Sequence, residues 1–250
     1  MNICVTGGAG FIGSHLVDRL IELGHDVLVI DNLSTGMRSF VHEDAQFIEM
    51  DVRDPKLLSV FEEFKPSIVF HEAAQTMVQS SMENPSYDCD VNLIGLINVL
   101  DACRKVNVEQ FLMPSSAAVY GDLAVLPLTE DLSGMPSSFY GLTKLTAEGY
   151  LRIYHEAFGL NTVCFRYANV YGPRQGDGGE GGVISIFNRL IVEGQPLTVF
   201  GDGEQTRDFI YVDDVVDANI KAMGNGQCTG IYNISTNKGT SVNELITRFR

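Results

Sequence analysis

The stretch Val5-Thr6-Gly7-Gly8-Ala9-Gly10-Phe11-Ile12-Gly13 leaves this chain few folds to choose from. It follows the apolar run Ile3-Cys4-Val5 and precedes residues 14–24, whose apolar side chains recur at helical spacing. Strand, glycine turn and helix is the order that a phosphate cradle needs. Glycine reaches positive φ and lets a ligand approach the backbone. The helix start then offers unpaired N–H groups and a positive dipole end to a pyrophosphate. Gly8, Gly10 and Gly13 fit G-x-G-x-x-G, and Gly7, Gly10 and Gly13 fit G-x-x-G-x-x-G. Such turns are common on their own. Here a second buried-strand run, Val27-Leu28-Val29-Ile30, ends on Asp31. A carboxylate about 20 residues past the glycines is placed to accept from both ribose hydroxyls of NAD. The plainer alternative is a tight βα turn followed by a surface Asp.

Composition narrows the class. The 250 residues suffice for one large or two modest domains, and 45% hydrophobic with 20% charged residues is ordinary for a globular protein. A net charge of -15 argues against a nucleic-acid footprint. It also makes any anionic ligand depend on local cations or backbone N–H groups. The first residues already read as a strand, so no leader is expected, and no apolar run approaches a membrane span. Cys4, Cys89, Cys103, Cys164 and Cys228 form no C-x-x-C pair, which suggests reduced thiols in the cytosol. The five histidines show no metal-ligand spacing.

Further along, strands are expected at 47–50, 67–70, 109–113 and 162–166, alternating with helices at 55–64, 86–106 and 139–158. Asp54 is expected to cap the first of these helices, Asn84 with Pro85 the second, and Gly159 to stop the third. Regular alternation implies right-handed crossovers and a parallel sheet. After Phe70 the small residues of His71-Glu72-Ala73-Ala74-Gln75 suit close approach of a flat cofactor, or equally ordinary loop packing. Asn92, in the otherwise apolar second helix, needs partners. It either contacts the site or satisfies a local carbonyl. Past Arg166 the character changes. Residues 172–182 are glycine-dense, a helix is expected at 183–193, a short strand at 197–200, a strand at 209–212, a helix at 213–223 and a strand at 231–234. Ser241 opens a helix expected to run to Arg250, and a chain ending there suggests that a C-terminal segment is missing. The whole reads as an α/β protein. A Rossmann-like doubly wound parallel sheet spans 1–168, with 205–222 returning to it, and 169–250 form a smaller, apparently truncated α/β substrate domain.

Tyr140 and Lys144 lie one helical turn apart on one face. A nearby ammonium favours the phenolate, so Tyr140 is a candidate base near neutral pH. Ser116, delivered by Pro114-Ser115-Ser116 at a strand's carboxyl end, is placed to bond the same substrate oxygen. Tyr-x-x-x-Lys alone is usually a surface pair; preceded in order by the glycine turn, Asp31 and the Ser-Ser strand end, it reads as a site. Arg207 lies in the polar loop Gly201-Asp202-Gly203-Glu204-Gln205-Thr206-Arg207-Asp208. Its fork suits a diphosphate, and a salt bridge to Asp208 or another carboxylate is about as good a reading.

Taken together, the glycine turn, Ser116-Ala117-Ala118-Val119-Tyr120-Gly121 and Tyr140-Gly141-Leu142-Thr143-Lys144 make the chain resemble the extended short-chain dehydrogenase/reductase family. Within it, the likeness is to NAD-dependent nucleotide-sugar 4-epimerases of the UDP-glucose 4-epimerase type. The resemblance implies that Ser116, Tyr140 and Lys144 are catalytic. It implies cofactor contacts from Gly7, Gly10, Phe11, Ile12 and Gly13, from Asp31 and Asn32 at the adenosine ribose, and from Asp51 and Val52 at the adenine. Ala73, Ala74, Asn92, Ser115, Tyr140, Lys144 and Tyr167 would complete the NAD site. Thr76, Ser116, Tyr140, Asn169, Thr198, Phe200 and Arg207 would meet a UDP-sugar, with no metal, in a cytoplasmic homodimer built on a four-helix bundle. The implied reaction is transient oxidation at C4 of the sugar, with Tyr140 taking and returning the hydroxyl proton. Elimination by a 4,6-dehydratase needs an acid and a base; the resemblance implies that these would directly follow the Ser, where Ala117 and Ala118 stand. UDP-glucuronate 4-epimerisation stays open, as does, from another class, a non-catalytic NAD-binding regulator on the same fold.

Overall fold

The computed structural model describes residues 1–123, 125–176 and 182–249. Its strands are β1 (Asn2–Thr6), β2 (Asp26–Asp31), β3 (Gln46–Glu49), β4 (Ile68–His71), β5 (Gln110–Ser116), β6 (Asn161–Tyr167), β7 (Asn169–Tyr171), β8 (Thr206–Tyr211), β9 (Gly230–Ile234) and β10 (Gly239–Ser241). The helices are α1 (Phe11–Glu22), α2 (Leu57–Phe64), α3 (Val78–Glu83), α4 (Pro85–Cys89), α5 (Leu96–Val106), α6 (Phe139–Phe158), α7 (Val183–Val192), α8 (Val212–Ala222) and α9 (Val242–Arg248). Seven strands form one sheet in the order β3-β2-β1-β4-β5-β6-β9, and every pairing in it is parallel. The order reverses between β1 and β4. In an open parallel sheet the crevice outside the carboxyl ends at that point is where ligands bind.

The strands are apolar almost without interruption because both faces of the sheet are covered. On β1, Cys4 joins the core under α2, α5 and α6, with Leu57, Phe61, Leu100 and Leu151. Its neighbours Ile3 and Val5 join the opposite core under α1 and α8, with Leu16, Leu20, Val215 and Val216. Each such fully buried aliphatic or aromatic side chain stabilises the fold by about 1.5–3 kcal/mol. The segment 212–222 thus packs beside α1, and Gln110 on β5 donates to the carbonyl of Ala222 at 3.0 Å. A second sheet, β10-β8-β7, is small and mixed: β7 and β8 run parallel, β8 and β10 antiparallel.

Several expected elements shift. β9 is the seventh strand of the large sheet, paired with β6, so 230–234 does not belong with a separate unit over 169–250. The helix expected at 86–106 is broken into α4, a π-helical segment (Asp90–Gly95) and α5. Asn84 does cap its start, accepting from the Tyr87 N–H. α2 begins at Leu57, not Pro55. The Asp54 side chain accepts from the Lys56 N–H in a turn that precedes the helix. Residues 197–200 form no strand. α3, β7 and β10 were not expected; each is six residues or fewer, too short for a periodic signal. α9 ends at Arg248 behind a capping box of Ser241 and Glu244, and the expectation for Arg250 lies outside the described residues. α6 runs as expected, with Ser138 accepting from the Gly141 N–H at its start and Gly159, at φ 73°, closing it. The glycine-dense expectation falls partly on 177–181, also outside the described residues.

Candidate active site

A groove of about 580 Å³ opens at the carboxyl edge of the sheet, over the β1–β4 reversal. The glycine turn forms its floor. Gly7 takes φ 73°, and a Cβ there would collide with the backbone nitrogen of Ala73. One on Gly13 would collide with the carbonyl oxygen of Gly7. No side chain caps α1, and Gly10, Phe11, Ile12 and Gly13 at its start all line the groove. The first N–H groups of a helix have no partner inside it, so an anion is the natural occupant. Asp31 closes the far end of the turn. Its two oxygens accept from the Ala9 N–H at 3.0 Å and the Leu33 N–H at 2.8 Å, each keeping a further lone pair for a hydroxyl. Asn32 donates to Asp51 at 2.8 Å, and the Arg53 guanidinium beside Asp51 holds that carboxyl far below the usual range. Val52, Ala73, Ala74 and Thr76 line the same groove. An open helix start, a cradle that a Cβ would fill and a carboxylate at one end fit a dinucleotide.

At the other end stand Ser116, Tyr140, Lys144 and Tyr167. β5 brings Ser116 to the sheet edge, where its hydroxyl accepts from the Ala118 N–H and caps a 3₁₀ turn over Ala117–Tyr120. Lys144 is buried. Its Nζ donates to the Pro114 carbonyl at 2.9 Å and lies 6.0 Å from the Tyr140 ring centroid. The expectation that this ammonium lowers the phenol needs correcting. Burial raises the Tyr140 phenol, the Ser116 hydroxyl pulls it back and the Asp88 carboxylate raises it further. Lys144 is itself lowered by burial, against the pull of Cys164 and the carboxylates of Glu72, Asp88 and Glu148. The protein's own groups therefore keep the Tyr140 proton on. Tyr167, its hydroxyl accepting from Asn219 at 2.7 Å, is raised well above the ordinary range by burial and by Glu72.

Two expected contacts are placed differently. Asn92 is buried and does not line the groove. Its side chain bonds both the N–H and the carbonyl of Gln75, and also reaches Asp88 and Thr143. It therefore fixes the segment after β4 from behind, and the π-helical segment on which it sits is a device often found near sites. Ser115 lines the groove, but its hydroxyl donates to Glu148 at 2.6 Å. That carboxylate also holds Arg166 in a bidentate pair (2.9 and 2.8 Å), and Arg166 passes the network through the Tyr120 hydroxyl to Asn233 on β9. Sequence reading missed this network and Asp88, because neither has a local pattern. Both join residues far apart in the chain.

The groove continues into a second cavity of about 310 Å³ lined by Thr198, Phe200 and Arg207, with Asn169 shared between the two. Asn169 donates to the Asp208 carbonyl at 3.0 Å. The reading of Arg207 as paired with Asp208 fails. Arg207 donates to the Thr206 carbonyl, whereas Asp208 accepts from the Thr236 hydroxyl and from the N–H groups of Thr236 and Lys238. Among the described residues, no carboxylate pairs with the exposed guanidinium.

This pairing of a dinucleotide cradle with a Ser, Tyr and Lys cluster defines a class, and the chain belongs to the NAD dependent epimerase/dehydratase family, whose model matches residues 3–235. It is 40% identical to a UDP-glucose 4-epimerase of Mycolicibacterium smegmatis, over 99% of this chain and 81% of that one. Among solved structures, it is similar to UDP-glucose 4-epimerase with UDP-glucose from Thermotoga maritima, at 43% identity and TM-score 0.95. The match covers 99% of this chain and 81% of that one. The Thermus thermophilus UDP-glucose 4-epimerase complex with NAD gives 40% identity and TM-score 0.93, with the same coverage.

Proposed function

We propose that this chain is an NAD-dependent isomerase that interconverts UDP-glucose and UDP-galactose at C4. The carrying observation is that Ser116, Tyr140 and Lys144 line the same groove as the glycine turn and Asp31, and that this groove shares Asn169 with the cavity lined by Arg207. Gly7 to Gly13, Asp31, Asn32, Asp51, Val52, Ala73 and Ala74 hold NAD, with Lys144 and Tyr167 near its nicotinamide end. Bound NAD supplies a reversible acceptor for the hydrogen at C4 of the sugar.

Tyr140 takes the proton from the 4-hydroxyl and returns it after the sugar has turned. Its raised phenol suits it to hold that proton while the sugar is a ketone, and the positive charge of an oxidised cofactor beside it would lower it for the proton to be taken again. Ser116 bonds the same oxygen. Asn169 and Arg207 grip the diphosphate; among the described residues no carboxylate pairs with the Arg207 guanidinium, which donates to the Thr206 carbonyl. Thr198 and Phe200 meet the nucleotide, and Thr76 the sugar side. Ala117 and Ala118, at the start of the 3₁₀ turn after Ser116, carry no proton to move, which disfavours elimination of the dehydratase kind.

Ile94, Leu142, Ile153 and Phe158 are exposed on the π-helical segment and α6, which supports a homodimer through a four-helix bundle; a monomeric mass by light scattering would refute it. No helix among the described residues is long and apolar enough to cross a membrane. All five cysteines are free, and we place the enzyme in the reducing cytosol. The deciding experiment is NMR-monitored turnover of UDP-galactose, UDP-N-acetylgalactosamine and UDP-glucuronate. Conversion of UDP-galactose to UDP-glucose is expected; an NAD-loaded protein that converts none of the three is a regulator, not an epimerase.

A further inference from the structure

One ionisable side chain in the groove serves neither the dinucleotide cradle nor proton transfer. Glu72 follows β4 at the carboxyl edge, where its N–H donates to the Thr6 carbonyl at 2.9 Å and its backbone packs under Gly7. It lines the groove together with Tyr140, Lys144 and Tyr167. Its Oε1 is buried and meets no donor among the described residues. Buried side-chain oxygens nearly always have a partner, and one left bare at a site calls for a reason. Packing alone would be served better by an apolar residue, since an unsatisfied buried carboxyl costs stability.

The oxidised nicotinamide ring is a cation and the reduced ring is neutral. A negative charge beside it, in a groove of low dielectric, therefore discriminates between the two forms. We propose that Glu72 is a positioning residue that poises the bound cofactor: as a carboxylate it favours the oxidised form over the reduced, and as the neutral acid it gives that preference up. The inference rests on reading the groove as an NAD site with the nicotinamide at its Tyr140 end. Such a bias suits a reaction in which the cofactor must return to its oxidised state after every turnover.

Burial holds the Glu72 carboxyl up at about 7, with the Lys144 ammonium pulling the other way, so the switch falls in the working pH range. The groups around it are few. Lys144 on α6 lies under the influence of Glu72, and Tyr167 on β6 is pushed far up. His71, next along β4, bonds the Thr6 hydroxyl and is held down at about 3 by burial, so it stays neutral. Tyr140 is raised, and Asp31 is bonded by the Ala9 and Leu33 N–H groups across the turn.

The test is the pair of dissociation constants for NAD and NADH, read by nicotinamide fluorescence and competition from pH 6 to 8.5, on the wild type, Glu72→Gln and Glu72→Asp. In the wild type the preference for the oxidised form should grow about tenfold as pH rises through 7, the size expected of a nearby charge at intermediate dielectric. Glu72→Gln should show a weak, pH-independent preference, and Glu72→Asp should keep the pH dependence. Equal, pH-independent ratios in the wild type and Glu72→Gln would overturn the proposal. Should Glu72→Gln fail to fold, a flat ratio in the wild type alone would do the same. A folded wild type that binds neither form would instead overturn the NAD reading on which the inference stands.

Discussion

Around Lys144, the side chains of Asp88, Asn92, Thr143, Glu148 and Arg166 lie almost wholly out of water and are bonded in two groups, Asp88 with Asn92 and Thr143, and Glu148 with Arg166. Around Arg207 the opposite holds: Thr198, Phe200 and Arg207 stand on or near the surface, and Arg207 spends one N–H on the carbonyl of its own neighbour. A buried polar group must be satisfied within the fold, so each bond in the first region constrains the next and the geometry is over-determined. An exposed one has water for a partner and exchanges it for a ligand at little cost. The first region is therefore built to hold reacting atoms in place, and the second to take hold of something that arrives.

The comparison breaks most visibly at Tyr140. Tyr140→Phe should lower turnover by about 10²–10⁴-fold, the usual worth of a positioned acid–base group, while NAD content measured after denaturation stays unchanged. Wild-type-like turnover in that variant would end the assignment. Next comes the buried ion pair. Glu148→Ala strands Arg166, which is 5% exposed, and should cost about 3–5 kcal/mol in urea unfolding. A second change, Arg166→Met, should recover much of that loss, since it removes the uncompensated charge. An unchanged midpoint for Glu148→Ala would mean that the network is not what rigidifies the site. The smallest effect is expected in the second region. Arg207→Ala should leave stability within about 0.5 kcal/mol, as for an exposed side chain, and raise KM for the UDP-sugar about tenfold, the worth of one charge-assisted hydrogen bond. A loss of stability there would show that Arg207 is structural after all.

How far the sequence could be read follows the same division. The glycine turn, Asp31 at the end of β2 and the capped α6 with Tyr140 and Lys144 are local features, spelled out within one element or one turn, and they stand where the spacing put them. The long helix expected at 86–106 was read from composition, and composition cannot show that Asn92 must turn to meet Gln75, which takes a π-helical segment. The strand expected at 197–200 has suitable residues and joins neither sheet, and pairing is a non-local fact. The pairing of β9 with β6 is non-local in the same way.

The phenol of Tyr140 makes the point chemically. A Tyr and a Lys one turn apart suggested a lowered phenol, because in sequence only their mutual charge was visible. The fold added burial and Asp88, and these reverse the sign. Glu72 was in plain view within His71-Glu72-Ala73-Ala74-Gln75, yet its neighbours drew attention for their small size. That its Oε1 is buried and without a partner among the described residues shows only in the folded chain.

The sequence by itself determined the parallel sheet, the cradle at its carboxyl edge and the identity of the groups able to move a proton, because periodicity, glycine and helical spacing act over a few residues. The tertiary structure alone decided which of those groups are charged, which are held and which are left free. Burial and partnership depend on residues that meet only when the chain has closed on itself: Glu72 with Lys144, Ser115 with Glu148, and Arg207 with no carboxylate to hold it among the described residues.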